Sequence, residues 1–140
     1  MRNILTVMAI SAAALVPATG AIAQSGTLSL QLNKASSEDS GCFVTYVATN
    51  GTGVDLDSAS YEVAVFDIEG EVDQLLLLPF GPLGDGKTKV FRFAMSESGC
   101  DSVARVLIND VNACSAADGA EIDCLSMLET STRTEIAFGL

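Results

Sequence analysis

Residues 81–88 read GPLGDGKT and match the phosphate-loop pattern G-x-x-x-x-G-K-[ST] at Gly81, Gly86, Lys87 and Thr88. The chemistry such a loop performs is specific. Its backbone N–H groups, together with the N-terminus of the helix that follows, cradle nucleotide phosphates. Here the loop runs into KVFRFAM, where Phe91, Phe93 and Met95 alternate with Arg92 and Ala94. A period of two belongs to a strand. Without a helix there is neither the dipole nor the row of free amides. The expectation is a Gly/Pro turn leading into a strand, with Lys87 and Thr88 solvated and no nucleotide or other cofactor bound.

A second stretch, DIEGEVD, places Asp67, Glu69, Glu71 and Asp73 within seven residues. Closely spaced carboxylates suit calcium, which takes hard oxygen ligands, and Asp55 and Asp57 in GVDLDS offer more from a nearby turn. An EF-hand loop carries Gly at its sixth position and Glu at its twelfth, whereas Gly70 stands fourth and the Glu is missing. A hairpin turn with Gly70 at positive φ and its carboxylates in water accounts for the spacing, so no metal site is assigned. A calcium-dependent binding or adhesion domain stands as the alternative. Paired carboxylates also hydrolyse glycosides, but in clefts lined with aromatic rings, and this chain has no Trp and two Tyr. It has no His, which removes His-based triads and most zinc sites. A small hydrolase is therefore the lesser alternative, and no catalytic residue is assigned.

Four cysteines remain: Cys42, Cys100, Cys114 and Cys124. None forms a C-x-x-C pair, and an even count in an exported chain reads as disulfides. Three connectivities exist. Cys114 and Cys124 bracket the short polar loop SAADGAEID, which favours their pairing and leaves Cys42 for Cys100. The latter two share similar approaches, SEDSGC and SESGC, each opening an apolar stretch. Both thus mark the start of a strand, and two strands running the same way would bring those starts to one end of the fold.

Export is read from the first residues. Arg2 supplies a positive charge, residues 4–16 are apolar but too short to span a bilayer, and Ala21-Ile22-Ala23 has the small-x-small form cut by signal peptidase. The expectation is a signal peptide over 1–23, a single domain over 24–140, no membrane span after cleavage, and a periplasmic or secreted location. Loss of Arg2 leaves eighteen acidic and six basic residues, a net charge near −12. Such a charge opposes nucleic acid and anionic membranes and admits a basic partner.

The elements that must carry these residues alternate in short runs. TLSLQLN places Leu28, Leu30 and Leu32 on one face; CFVTYVATN does so with Val44, Tyr46 and Ala48, and SYEVAVFD with Tyr61, Val63 and Val65. Then come VDQLLLLPF, KTKVFRFAM and SVARVLIND, a short helical turn in CLSMLETST, and a last strand in TEIAFGL with Ile136, Phe138 and Leu140 on one face. KASSEDSG reads as a loop. About seven strands with regular turn signals predict an all-β, immunoglobulin-like antiparallel β-sandwich with two disulfides, with a small closed barrel as the alternative. In that order the second and sixth strands share a direction but belong to different sheets.

The stretch from Tyr46 to Met95 resembles the FxLYD type of small bacterial exported domain. The likeness lies in Asn50-Gly51-Thr52 after a strand, in VAVFDIEGEV, and in LLLLPFGPLGDGKTKVFRF. The chain as a whole also looks like small uncharacterised exported proteins of alphaproteobacteria. The resemblance implies an immunoglobulin-like sandwich, implies no reaction, and makes GPLGDGKT an interstrand loop. What remains is binding. Leu75, Leu76, Leu77 and Leu78 suit either a strand buried on both faces or a partner surface, and the last strand, as a sheet edge, offers a route to a homodimer. The expected function is a non-enzymatic exported accessory module that binds an as yet unknown protein.

Overall fold

A computed structural model describes residues 26–140; the expected signal peptide lies outside the described residues. Eight strands follow one another: β1 (Thr27–Glu38), β2 (Gly41–Gly51), β3 (Leu56–Asp67), β4 (Val72–Pro79), β5 (Thr88–Ser96), β6 (Val103–Ala116), β7 (Leu128–Thr132) and β8 (Ala137–Gly139). A single 3-10 turn, Cys100–Ser102, precedes β6. They form two four-stranded sheets in the orders β5-β2-β1-β7 and β4-β3-β6-β8, a sandwich and not a closed barrel. The first six strands follow the immunoglobulin-like order, with β1, β2 and β5 in one sheet and β4, β3 and β6 in the other.

The last two strands depart from a purely antiparallel arrangement. β7 pairs parallel with β1, and β8 pairs parallel with β6, so each caps one sheet. β7 raises the strand count from the expected seven to eight. Residues 124–127 make the short turn expected in CLSMLETST, with Leu128 N–H donating to the Leu125 carbonyl, and β7 takes the rest of that stretch; its first residue, Leu128, is buried against the core. Two further boundaries shift. After a register shift between Leu32 and Lys34, the polar run KASSE continues β1 along β2 as far as the Glu38–Gly41 pair, and β6 runs six residues beyond Asp110.

The alternating residues meet between the sheets. Leu28, Leu30 and Leu32, Val44, Tyr46 and Ala48, and Tyr61, Val63 and Val65 are all fully buried. Ile136 is buried and Phe138 packs partly into the core, but Leu140 is exposed, because β8 ends at Gly139. At the centre sits Phe80, just beyond β4. Its ring meets Tyr46, Phe91 and Phe93 edge-on at centroid distances of 5.5, 5.3 and 5.5 Å, and lies 6.3 Å from Tyr61. Gly81 follows because a Cβ there would lie 2.8 Å from the backbone nitrogen of Ala59.

Both disulfides join the expected partners. Cys42–Cys100 ties the start of β2 to the turn before β6, across the two sheets, with a Cα separation of 4.6 Å. β2 and β6 thus begin at one end of the sandwich. Cys114–Cys124 closes the loop after β6, with Cα atoms 6.1 Å apart.

Tyr46 and Tyr61 are the only tyrosines, and burial drives both phenols far above their ordinary pKa. The Tyr61 hydroxyl donates to the Cys124 carbonyl at 2.9 Å, inside the core. A folded-state pKa above the unfolded value leaves stability intact below the unfolded pKa of about 10 and erodes it as pH rises past that value. Each tyrosine then subtracts up to about 1.4 kcal/mol per pH unit. Tyrosinate absorbance is accordingly expected to appear in one cooperative step that coincides with loss of structure. A smooth titration of one phenol near pH 10 in the folded protein would contradict this packing.

Candidate functional site

The GPLGDGKT loop is held by its neighbours, and the amides a phosphate would need are already used. Leu83 and Leu56 exchange backbone hydrogen bonds of 2.8 and 3.0 Å. Gly86 N–H donates to the Asn50 carbonyl, Lys87 N–H to the Gly84 carbonyl, and Asp85 N–H to Asp55 Oδ1. Two carboxylates, Asp55 and Asp85, stand at this loop; Asp85 Oδ1 accepts from Gly53 N–H. A phosphate would meet two carboxylates where the motif needs free backbone donors. β5 follows at Thr88, with no helix, so the loop is the turn into a strand that its flanking residues predict.

The residue that organises this corner is Asn50, which the sequence marks only as half of an Asn-Gly turn. It is fully buried. Its Nδ2 donates to the carbonyls of Val54 and Leu83, both at 2.8 Å, while its Oδ1 accepts from Thr52 N–H and from the Thr52 hydroxyl. Its hydrogen-bonding capacity is filled, and the β2–β3 turn is sewn to the GPLGDGKT loop. Asn50→Leu strands these partners. It is expected to cost about 2–3 kcal/mol, read as a lowered melting temperature, with both disulfides still formed.

The acidic turn is likewise used by its own backbone. Asp67 Oδ1 accepts from the N–H groups of Glu69 and Glu71 at 3.0 and 2.9 Å, and Gly70 adopts φ +85°. Asp57 is exposed on β3. Among the described residues no three side chains of His, Cys, Asp or Glu converge as metal ligands.

The four leucines of β4 divide by the pleat. Leu78 is buried and Leu76 packs half-buried on the core, which corrects their inclusion in a partner surface. Leu75 and Leu77 point outward, 58% and 55% exposed. Leu75 lies in register with Ala64 of β3, which in turn pairs with Leu107 of β6, giving an apolar band across the outer face. Val72 and Ile68 extend the exposed apolar surface at the start of β4.

β4 is also a sheet edge, and the four edges differ in protection. β7 and β8 are five and three residues long, too short to template much pairing. β5 carries Lys89 and Arg92; Arg92 pairs with Glu38 and covers the Phe43 ring at 4.2 Å. β4 has eight residues, no Lys or Arg, and one charge, Asp73. Pro79 blunts only its last position. Sequence reasoning placed the edge at the last strand. β8 is indeed an edge, but β4 is the longer and less guarded one.

Where β4 starts, it borders β5 of the other sheet across a polar recess of about 340 Å³ lined by Asp73, Gln74, Ser96, Glu97 and Ser98. Gln74 Nε2 donates to the Met95 carbonyl. The buried Ser96 hydroxyl donates to Asp73 Oδ2 at 3.2 Å and accepts from Ser98 N–H at 3.1 Å. The recess thus combines two carboxylates with acceptor oxygens and holds no cationic side chain.

No helix among the described residues is long and apolar enough to cross a membrane. Comparison of the chain with protein-family models, with curated proteins and with solved structures finds no match.

Proposed function

We propose that this chain is a non-enzymatic exported module that binds another protein along the β4 edge, in the periplasm or outside the cell. One observation carries the reading: Leu75 and Leu77 stand exposed on a long edge strand with no basic gatekeeper. The two disulfides suit an oxidising compartment, in keeping with a signal peptide over 1–23. The FxLYD-like features between Tyr46 and Met95 agree with an accessory role. The groups that resemble catalytic or ligand-binding signatures serve the fold instead: the GPLGDGKT amides are bonded within the chain, and the Asp67 carboxylate caps its own turn.

The test is an affinity capture from the exported fraction of the native host, using the mature chain beside a Leu75→Thr/Leu77→Thr variant. Threonine keeps strand propensity and removes the apolar surface, so the variant should fold and lose the captured partner. Recovery of the same partner by both proteins would refute the β4 assignment. An N-terminus other than Gln24 on the exported form would refute the processing.

A further inference from the structure

We propose that the protein seated on the β4 edge is a second copy of this chain, paired antiparallel about a two-fold axis at Leu76. This rests on the binding role just proposed and names its partner. The backbone sets which groups the edge offers. Phe80 N–H donates to the Ala59 carbonyl at 2.7 Å, next to the Ser60–Pro79 pair, so counting back by twos Leu78, Leu76 and Gln74 bond to β3. The residues between them, Leu75, Leu77 and Pro79, turn their backbone groups to the open side, where no strand follows β4 in the sheet. Pro79 has no N–H to offer, and the bulge at Asp73 ends the regular stretch at the other side. The usable donors are those of Leu75 and Leu77, whose side chains are also the exposed ones.

Two such donors at an interval of two are complementary to themselves when reversed. With Leu76 on the axis, Leu75 faces Leu77 of the copy and Leu77 faces its Leu75, and each pair exchanges both N–H···O bonds. Exposed leucine then covers exposed leucine on the outer face. Leu76, an inward residue left half-buried because the sheet stops at β4, meets its own copy in the closer, non-hydrogen-bonded kind of pair. The two ends of the edge also differ in charge. Glu71, Asp73 and Glu97 stand about the start of β4, whereas beyond its end Lys89 Nζ donates to the Pro82 carbonyl at 2.7 Å. An antiparallel copy brings the lysine end of each chain toward the acidic end of the other. The net charge of −11 opposes association at long range, but it is screened beyond roughly 8 Å at physiological salt, while these contacts are local.

The test is sedimentation equilibrium of the mature protein at physiological salt. One added strand per copy makes a small interface, so a dimer with a dissociation constant in the micromolar range is expected. Leu75→Thr/Leu77→Thr should raise that constant about tenfold or more, since it removes the apolar cover and keeps strand propensity. In the unaltered protein, NMR should show solvent exchange at the Leu75 and Leu77 amides slowing as concentration rises, while Leu76 and Leu78, already bonded to β3, change little. The exchange measurement uses no substitution, so misfolding of a variant cannot produce it.

A protein that stays monomeric up to millimolar concentration overturns the proposal. So does a dimer that the leucine variant leaves intact, or one whose slowed amides lie elsewhere than Leu75 and Leu77. A monomer that still captures a different protein through these leucines keeps the binding role and removes the second copy as its occupant. A monomer that captures nothing through them removes both.

Discussion

Replacing Phe80 with alanine is expected to destabilise the protein by about 3–5 kcal/mol, the largest loss from any single side chain here. The ring is fully buried and bridges the layers: Tyr46, Phe91 and Phe93 reach it from one sheet, Tyr61 from the other. Truncation removes the transfer energy of the ring, leaves a cavity among rigid aromatics that collapse poorly, and breaks three edge-on contacts worth about 0.5–1.5 kcal/mol each. It also loosens the loop that follows, since Phe80 N–H donates to the Ala59 carbonyl at 2.7 Å and Leu83 is pinned to Leu56 just beyond. A domain of this size has about 5–15 kcal/mol to lose, so the variant approaches the limit of folding. Phe80→Leu should lose much less, because it retains volume and sacrifices mainly the ring geometry. Phe91→Ala, at a half-buried ring, should fall between them. Urea midpoints at constant slope would measure the order. If Phe91→Ala proved the more damaging, Phe80 would not be the hub that its contacts make it.

Phe80 illustrates what was readable from sequence. Position by position, alternation identified the inner faces of β1, β2 and β3, because each runs through the middle of a sheet with one face on the core. The paired S-G-C approaches located the strand starts that the Cys42–Cys100 bridge joins. Phe80 itself looked like the end of a leucine run, since its importance comes from four segments meeting in space. The same limit hid Asn50, whose partners Val54 and Leu83 belong to two different turns. β6 beyond Asp110 and β7 were missed for another reason. Register shifts at Ser60/Tyr61 and Glu62/Val63 break the period opposite β6, and β7 is polar apart from Leu128. Its strand conformation depends on a parallel ladder with β1, roughly a hundred residues away in sequence, where no local propensity reports it.

The leucine run shows a related ambiguity. Four successive leucines carry no period, so sequence alone could not distinguish a strand buried on both faces from one facing a partner. The pleat decides it, sending Leu76 and Leu78 to the core and Leu75 and Leu77 to the surface. Only the topology reveals that this strand is an edge, and that its first residues adjoin an acidic recess contributed partly by the other sheet.

Removal of the Cys42–Cys100 bridge by a double alanine substitution is expected to cost about 4 kcal/mol, against about 3 kcal/mol for Cys114–Cys124. The difference follows from the segments that the bridges close, 58 and 10 residues in sequence separation. Cross-linking the longer segment removes more freedom from the unfolded chain, though only logarithmically so. In the folded protein, contacts other than the bond also hold the two ends of the longer bridge. Gly41 at φ +123° lets the Ser96 backbone approach so closely that a Cβ would lie on its carbonyl, which holds the start of β2 against β5. Cys100 N–H donates to the Ser37 hydroxyl at 2.8 Å, which anchors the turn before β6 to β1. The loss should therefore appear mainly through the unfolded state. An expanded unfolded chain exposes more surface, so the denaturant slope should rise as the midpoint falls, more for the longer bridge than for the shorter. An unchanged slope, or a greater loss from the shorter bridge, would mean that the bonds act by fixing folded geometry. In that case the sandwich would depend on its staples for shape and not only for the freedom they deny the unfolded chain.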